Sequence, residues 1–182
     1  GAGITTDQVP TMSFSIGEPE LRSMGAEQMV GDLATWNYFQ SLSTPENQAF
    51  VERFRARYGA DRVLSDPMEA AYFGVHLWAQ AVEEARTPEV QGVLAALRGQ
   101  SLVAPGGMVN IDMENNHTWK TVRVGKIRPD GQFDVVWDSG QPIRPVPYPS
   151  TRSRADWDTF LQDLHMSWGG RWVNPGPGAP TP

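Results

Sequence analysis

Ser13 and Ser15 flank Phe14, and Glu18 follows a few residues later, so two hydroxyls and a carboxylate share one short stretch of chain. Hydroxyls and backbone N–H groups beside a helix start can hold a small polar ligand without doing chemistry on it. The same residues suit a serine turn followed by a capped helix, and both readings stay open at the level of sequence. A second group is Trp36-Asn37-Tyr38-Phe39, which follows a strand, where α/β proteins place ligand contacts. Trp36 and Tyr38 are the candidates there, against the alternative that these aromatics cover a core or a domain junction.

Reactive constellations are missing from the sequence. His76, His117 and His165 are far apart and none lies in an HExxH arrangement. His76 falls mid-helix, and His117, in Asn115-Asn116-His117-Thr118, suits bonding to nearby backbone carbonyls better than proton transfer. Neither Ser13 nor Ser15 sits in a G-x-S-x-G elbow. Pro105-Gly106-Gly107 lacks the Lys and Ser/Thr of a phosphate loop. Glu18/Glu20 and Glu83/Glu84 read as a helix N-terminus and a solvated face. Zero cysteines exclude thiolate catalysis, disulfides and cysteine-zinc sites. No catalytic residue, no metal and no cofactor is therefore expected.

Composition narrows the partners. The 182 residues carry 15 Lys+Arg against 21 Asp+Glu, a net charge of −6. A chain without a basic patch cannot release counterions from nucleic acid or anionic lipid, so no nucleic acid is expected as a partner. No apolar run approaches the ~20 residues needed to span a bilayer. The opening GAGITTDQVP lacks a charged start and an apolar stretch, so the expectation is a chain that begins within a mature protein.

The positioning elements follow from patterning. Val9 to Ile16 reads as a strand, with Gly17-Glu18-Pro19-Glu20 turning into a helix, and Met29 to Phe39 begins as a second strand. Thr44-Pro45-Glu46, Asp66-Pro67-Met68-Glu69 and Thr87-Pro88-Glu89 each join a capping residue, a proline and an acidic first turn, and predict three helices. Gly59 ends the first of these helices and Gly99 the third. Val109, Ile111 and Met113 alternate with polar residues. Val122, Val124 and Ile127 then lead through Asp130-Gly131 to Phe133, Val135 and Trp137, a β-hairpin signal. Asp156 to Trp168 reads as a helix, and the proline-rich end NPGPGAPTP as a tail without fixed structure. Helices and strands are thus segregated, and a sheet of alternating βα units is lacking. The simplest reading is the C-terminal part of a larger protein, with an independent α+β domain as the competitor.

The strings VPTMSFSIGEPEL, TWNYFQSLSTPENQAFVERFRARYG, DPMEAAYFGVHLWAQAVEEA, VAPGGMVNIDMENNHTWKTVRVGKI and DGQFDVVWDSGQPIRPVPYP resemble, in order, the C-terminal part of a type I periplasmic binding protein of the urea and short-chain amide branch. The resemblance covers most of Val9 to Pro149 and weakens beyond. It implies an α/β fold of two lobes, crossed three times by the chain, that close by a hinge over a solute. On that basis residues 1–36 would end the second lobe's sheet and residues 37–101 would give helices to the first lobe. Residues 102–149 would form the closing hairpin of lobe two, and residues 150–182 a terminal helix and tail. The helices and the strands of Met108 to Trp137 would then have few contacts with one another.

The implied function is a solute receptor, outside the cytoplasm, that binds urea, a short-chain amide or an amino acid and delivers it to an ABC permease. An amide-sensing regulator or sensor input domain of the same fold, cytoplasmic if a regulator, is the alternative. Ser15 is the leading ligand contact, with Ser13, Glu18, Trp36 and Tyr38 beside it. An acidic contact and the rest of the cleft would come from a missing N-terminal portion of the same protein.

Overall fold

The computed structural model describes residues 6–174 and residue 176, and its chain divides into two compact units, residues 1–145 and 146–182. In the first unit the order is β1 (Met12–Ser13), α1 (Glu18–Met24), β2 (Leu33–Trp36), α2 (Pro45–Tyr58), α3 (Asp66–Ala85) and α4 (Val90–Leu97). Five more strands follow: β3 (Ser101–Ala104), β4 (Gly107–Ile111), β5 (Thr118–Trp119), β6 (Arg123–Ile127) and β7 (Phe133–Asp138). They form two sheets, β1-β2-β6-β7 and β3-β4-β5. No helix among the described residues is long and apolar enough to cross a membrane.

The Thr-Pro and Asp-Pro starts act as the sequence implies, with one adjustment. The Thr44 hydroxyl accepts the Asn47 N–H at the head of α2, and α3 starts at Asp66 after Ser65. The third helix begins later than its signal, because the Thr87 hydroxyl accepts the Glu89 N–H and holds that dipeptide in a turn. Both leading strands are shorter than expected. The Ser13 hydroxyl draws the chain out of β1 directly after its second residue, and turn bonds from Met29 to Ala26 and from Asp32 to Met29 delay β2 to Leu33. The hairpin around Asp130-Gly131 joins β6 to β7, antiparallel, with Gly131 at φ 73° as the turn demands.

The strands between Met108 and Trp137 do not stay together, which corrects the expected separation of strands from helices. β4 pairs with β3 and packs on α3, where Phe73 and Leu77 bury against Ala104, Val109 and Ile111. β6 and β7 join β2 instead. The reason is hydrophobic periodicity: the inward residues of β4 meet the apolar stripe of α3, and those of β6 and β7 meet α1. In that second cluster Leu21, Ala34, Phe39, Ile127 and Phe133 bury together, with the Phe39 and Phe133 rings 4.6 Å apart. A third cluster joins Tyr38, Phe50 and Leu64 at the head of the helices.

The second unit is built round α5 (Arg154–Ser167). Ser153 and Asp156 cap it reciprocally, and the Arg152 guanidinium lies 4.8 Å from the Trp157 ring centre. No residue of α5 is buried. Most of the tail expected to lack fixed structure lies outside the described residues.

Gly125 in β6 faces the tightest part of the core. A Cβ there would stand 2.7 Å from Phe39 Cζ and 3.0 Å from Phe133 Cβ. Gly125→Ala is expected to destabilise the chain by about 1–3 kcal/mol through overpacking, read as a lower denaturation midpoint in urea.

Candidate functional site

The turn that leaves β1 has a defined construction. The Ser13 hydroxyl accepts the N–H groups of Ser15 at 3.1 Å and Ile16 at 3.0 Å, so Ser13 spends its acceptor capacity on its own backbone. The Trp36 indole N–H donates to the Ile16 carbonyl at 2.8 Å and fastens this turn to the end of β2. Trp36 is therefore placed to position the turn. Ser15 and Phe14 are left exposed at its tip, Phe14 by 71%. Of the five sequence candidates, Ser13, Ser15 and Trp36 come together here.

Glu18 and Tyr38 lie elsewhere, in the interior. Tyr38 is fully buried, and its hydroxyl donates to Asn47 Oδ1 at 2.8 Å, so in this chain it anchors α2. The carboxylate of Glu18, 1% exposed, accepts the Gln40 N–H at 2.7 Å. Neither reaches the surface beside Ser15. Both follow strand ends in the sequence, where ligand contacts gather. Burial gives them structural partners.

These partners belong to a polar network around residues 37–42, the segment that carries the chain from the first sheet to α2. The Asn37 N–H donates to Asp66 at 3.0 Å, and its side-chain amide donates to the Thr121 carbonyl at 3.0 Å. The Arg123 guanidinium donates to the Asn37 carbonyl and, at 2.8 Å, to the Gly106 carbonyl. Asn47 donates to the carbonyls of Gln40 and Leu42, and the Ser41 hydroxyl donates to the Phe133 carbonyl at 2.5 Å. Gln40 accepts the Leu64 N–H on its side-chain oxygen at 2.7 Å and donates to Gln132 at 3.2 Å.

A charge cluster completes the network. Lys120 Nζ lies 3.1 Å from Glu69 and 3.4 Å from Asp66, and Glu69 also accepts the Gly106 N–H at 3.1 Å. Burial raises the Glu69 carboxyl above the usual carboxylate range, and the Lys120 charge opposes that rise. Burial likewise lowers Arg123, opposed by Asp138, Glu69 and Asp66. Sequence reasoning missed Asn37, Gln40, Asn47, Asp66, Glu69, Lys120 and Arg123. Asp66 and Glu69 were visible as a helix start. Asn37, Gln40, Lys120 and Arg123 carry no local signal, because they have partners far away in the chain, and Asn47 bonds within nine residues but through a loop with no recognisable pattern.

Among the described residues no group of three His, Asp or Glu is placed to hold a metal ion. His117 Nδ1 lies 2.9 Å from the Asn115 carbonyl oxygen, within the turn that contains it. The chemistry available to this arrangement is hydrogen-bond recognition at the turn and mechanical support beneath it.

Lys120 is the cation that compensates Glu69. Lys120→Met is expected to cost roughly 3 kcal/mol at neutral pH, since it leaves a buried carboxylate unpaired. The sign with pH is fixed by Glu69, whose folded pKa then rises further above its unfolded value. Chemical denaturation should therefore show the gap to wild type narrowing as pH falls and Glu69 takes up a proton.

Comparison with known proteins accords with this geometry. A protein from Geobacillus stearothermophilus named limonene hydroxylase is 37% identical over 124 residues, 68% of this chain and 23% of that protein. The Leu/Ile/Val-binding protein homolog 6 of Brucella abortus is 32% identical over 111 residues, 60% of this chain and 28% of that protein. A solute-binding protein of an ABC transporter from Rhodopseudomonas palustris, solved with p-hydroxybenzoic acid, superposes with a TM-score of 0.63 at 27% identity. That match covers 78% of this chain and 39% of the other. The chain thus spans about a quarter of the curated relatives it matches. The sequence model of the family described as periplasmic binding protein domain matches residues 1–154. With that match over most of its length, and a fold shared with a solute-binding protein, the chain belongs to the periplasmic binding protein family.

Proposed function

We propose that this chain is the C-terminal portion of a two-lobed solute receptor that captures a small polar molecule outside the cytoplasm and hands it to an ABC permease. The observation that carries this reading is the crossing. Two separate sheets with separate apolar clusters are joined through residues 37–42, the Pro105-Gly106 corner and residues 120–122. Three passages through one narrow, hydrogen-bonded zone form a hinge, where a few dihedral changes move one body against the other. The β1 to β2 part would belong to the second lobe and the helices to the first. β3 and β4 would accompany the helices, and β6 with β7 would close the second lobe. Ser15, exposed at the turn leaving β1, faces the cleft in this reading, with Trp36 bracing the turn from behind. The chain performs no chemistry on what it binds.

For the solute, the two relatives named for ligands differ from the urea and amide branch that the sequence resembles. One is named for leucine, isoleucine and valine and one was solved with p-hydroxybenzoic acid, and these molecules share a carboxylate. A carboxylate accepts from a serine hydroxyl and from backbone N–H groups, as an amide carbonyl does. We therefore place a small carboxylate first and a short amide second.

A thermal-shift screen of the complete two-lobed protein tests the reading, because a ligand that binds only the folded state raises its melting temperature. The panel is leucine, valine, p-hydroxybenzoate, acetamide and urea. Stabilisation by a carboxylate is the expected outcome. Stabilisation by acetamide or urea alone restores the amide branch, and turnover of any of them by the purified protein refutes the receptor reading.

Ser15→Ala provides a second test. It should leave the stability of the chain unchanged within about 0.5 kcal/mol, as an exposed position does. In the complete protein it should weaken solute binding by roughly 0.5–1.5 kcal/mol, the net value of one hydrogen bond. Calorimetry showing unchanged affinity would remove Ser15 from the cleft.

A further inference from the structure

Gln40 is the meeting point of four parts of the first unit. Its backbone N–H goes to Glu18 of α1 and its carbonyl to Asn47 of α2. Its side chain goes to Leu64 ahead of α3 and to Gln132 of the β6–β7 turn. Three of these four bonds use neutral groups. The Glu18 carboxyl is the exception, because its acceptor strength changes with its charge.

The surroundings of Glu18 are one-sided. On its own helix and the following turn stand Glu20 and Glu27, and Asp66 faces it from α3. Asp61 and Asp130 line the adjoining pocket of about 330 Å3. Tyr38 of the crossing is close enough to feel its charge. Among the described residues lining that pocket Arg22 is the one cation, and Asp61 holds it at 2.5 Å. A buried carboxyl facing acids, with the nearby cation already engaged, sits where a proton competes well with ionisation.

We propose that Glu18 is a proton-operated latch on the crossing: as a carboxylate it clamps the Gln40 N–H, and as a carboxylic acid it slackens that hold. A hydrogen bond to an ionised acceptor is roughly twice as strong as one to a neutral acceptor. The segment affected is the hinge of the receptor reading, and calling it a hinge rests on that reading. The solute-binding motion would then be freer at mildly acidic pH and stiffer above neutrality.

Proton linkage gives the latch a signature that an inert buried residue lacks. Burial pushes the Glu18 carboxyl up to about 7 from its ordinary 4.5, against the opposing Gln40 N–H. Below the ordinary value both folded and unfolded chains hold the proton. Between the two values the folded chain holds it more tightly. The stability so gained is fully present below 4.5 and is lost progressively as pH rises to about 7. The whole chain thus becomes less stable over the same pH interval in which the Gln40 N–H becomes more firmly held.

The test follows two signals in the complete protein without solute by nuclear magnetic resonance between about pH 4 and pH 9, namely the Glu18 carboxyl carbon and the Gln40 amide proton. Both should titrate with one midpoint near 7, the amide proton moving downfield as the carboxyl ionises. In Glu18→Gln the Gln40 amide should stay flat, and its urea midpoint should fall less with rising pH than that of the wild type, by the share Glu18 contributes beside Glu69. A Glu18 midpoint in the ordinary carboxylate range, or a Gln40 amide that ignores the Glu18 midpoint, overturns the latch. Should Glu18→Gln fail to fold, the two wild-type signals still decide. Both are read without solute, whereas the receptor reading stands or falls on solute binding.

Discussion

Every polar backbone group carried through the interior between the two sheets must find a partner there. An amide or carbonyl left without one away from water costs about 1–3 kcal/mol. Residues 37–42 cross that zone with no regular secondary structure to supply the bonds. Side chains supply them instead: Asp66 and Glu18 accept N–H groups, while Arg123 and Asn47 donate to carbonyls. The charges that do this are themselves buried and need compensation, which explains Lys120 lying against both Asp66 and Glu69. The apolar clusters on either side are ordinary packing. The crossing is what makes their relative placement specific.

This division of labour explains why the surface turn at Ser15 is so lightly built. Ser13 and Trp36 fix its backbone with three hydrogen bonds, and nothing more is required of it. A turn whose backbone is fixed but whose tip is exposed would lose little entropy on docking a ligand, as the proposed role of Ser15 requires. The support beneath it, from Trp36 through Asn37 to the Arg123 and Asp66 side chains, is continuous along the chain. The exposed turn and the buried crossing are thus adjacent in the chain and differ in burial.

What the sequence revealed and what it concealed divide along the range of the interactions. The α2 and α3 starts, the β6–β7 hairpin and the α5 helix are set by residues a few positions apart, and Thr44-Pro45 or Asp130-Gly131 announce them. The residues around Ser13 allow a serine turn or a ligand contact, and the Ser13 hydroxyl forms the turn. The partition of the strands was hidden, because whether β4 packs on α3 or on β6 depends on shape matching between distant stretches. Tyr38 and Glu18 misled for a related reason. Both follow strand ends, where ligand contacts gather, but Tyr38 packs with Phe50 and Leu64 and Glu18 accepts from Gln40, contacts no local pattern announces. The charge network was illegible as a unit because Asn37 and Arg123 are 86 positions apart.

That separation also bears on the order in which the molecule assembles. Gln40 and Ser41 bond to partners 92 positions further on, and Asn37 to one 84 positions away. Loop closure over such lengths has to be met before any of those bonds rewards it, whereas α3 with α4, or β6 with β7, can form from neighbours. The crossing is therefore the last part to settle, after the helices and the hairpin exist as separate bodies. Until then Glu18, Glu69 and Arg123 remain hydrated, and their drying coincides with the docking of one body on the other. An early intermediate of this chain would carry most of its secondary structure and none of its crossing.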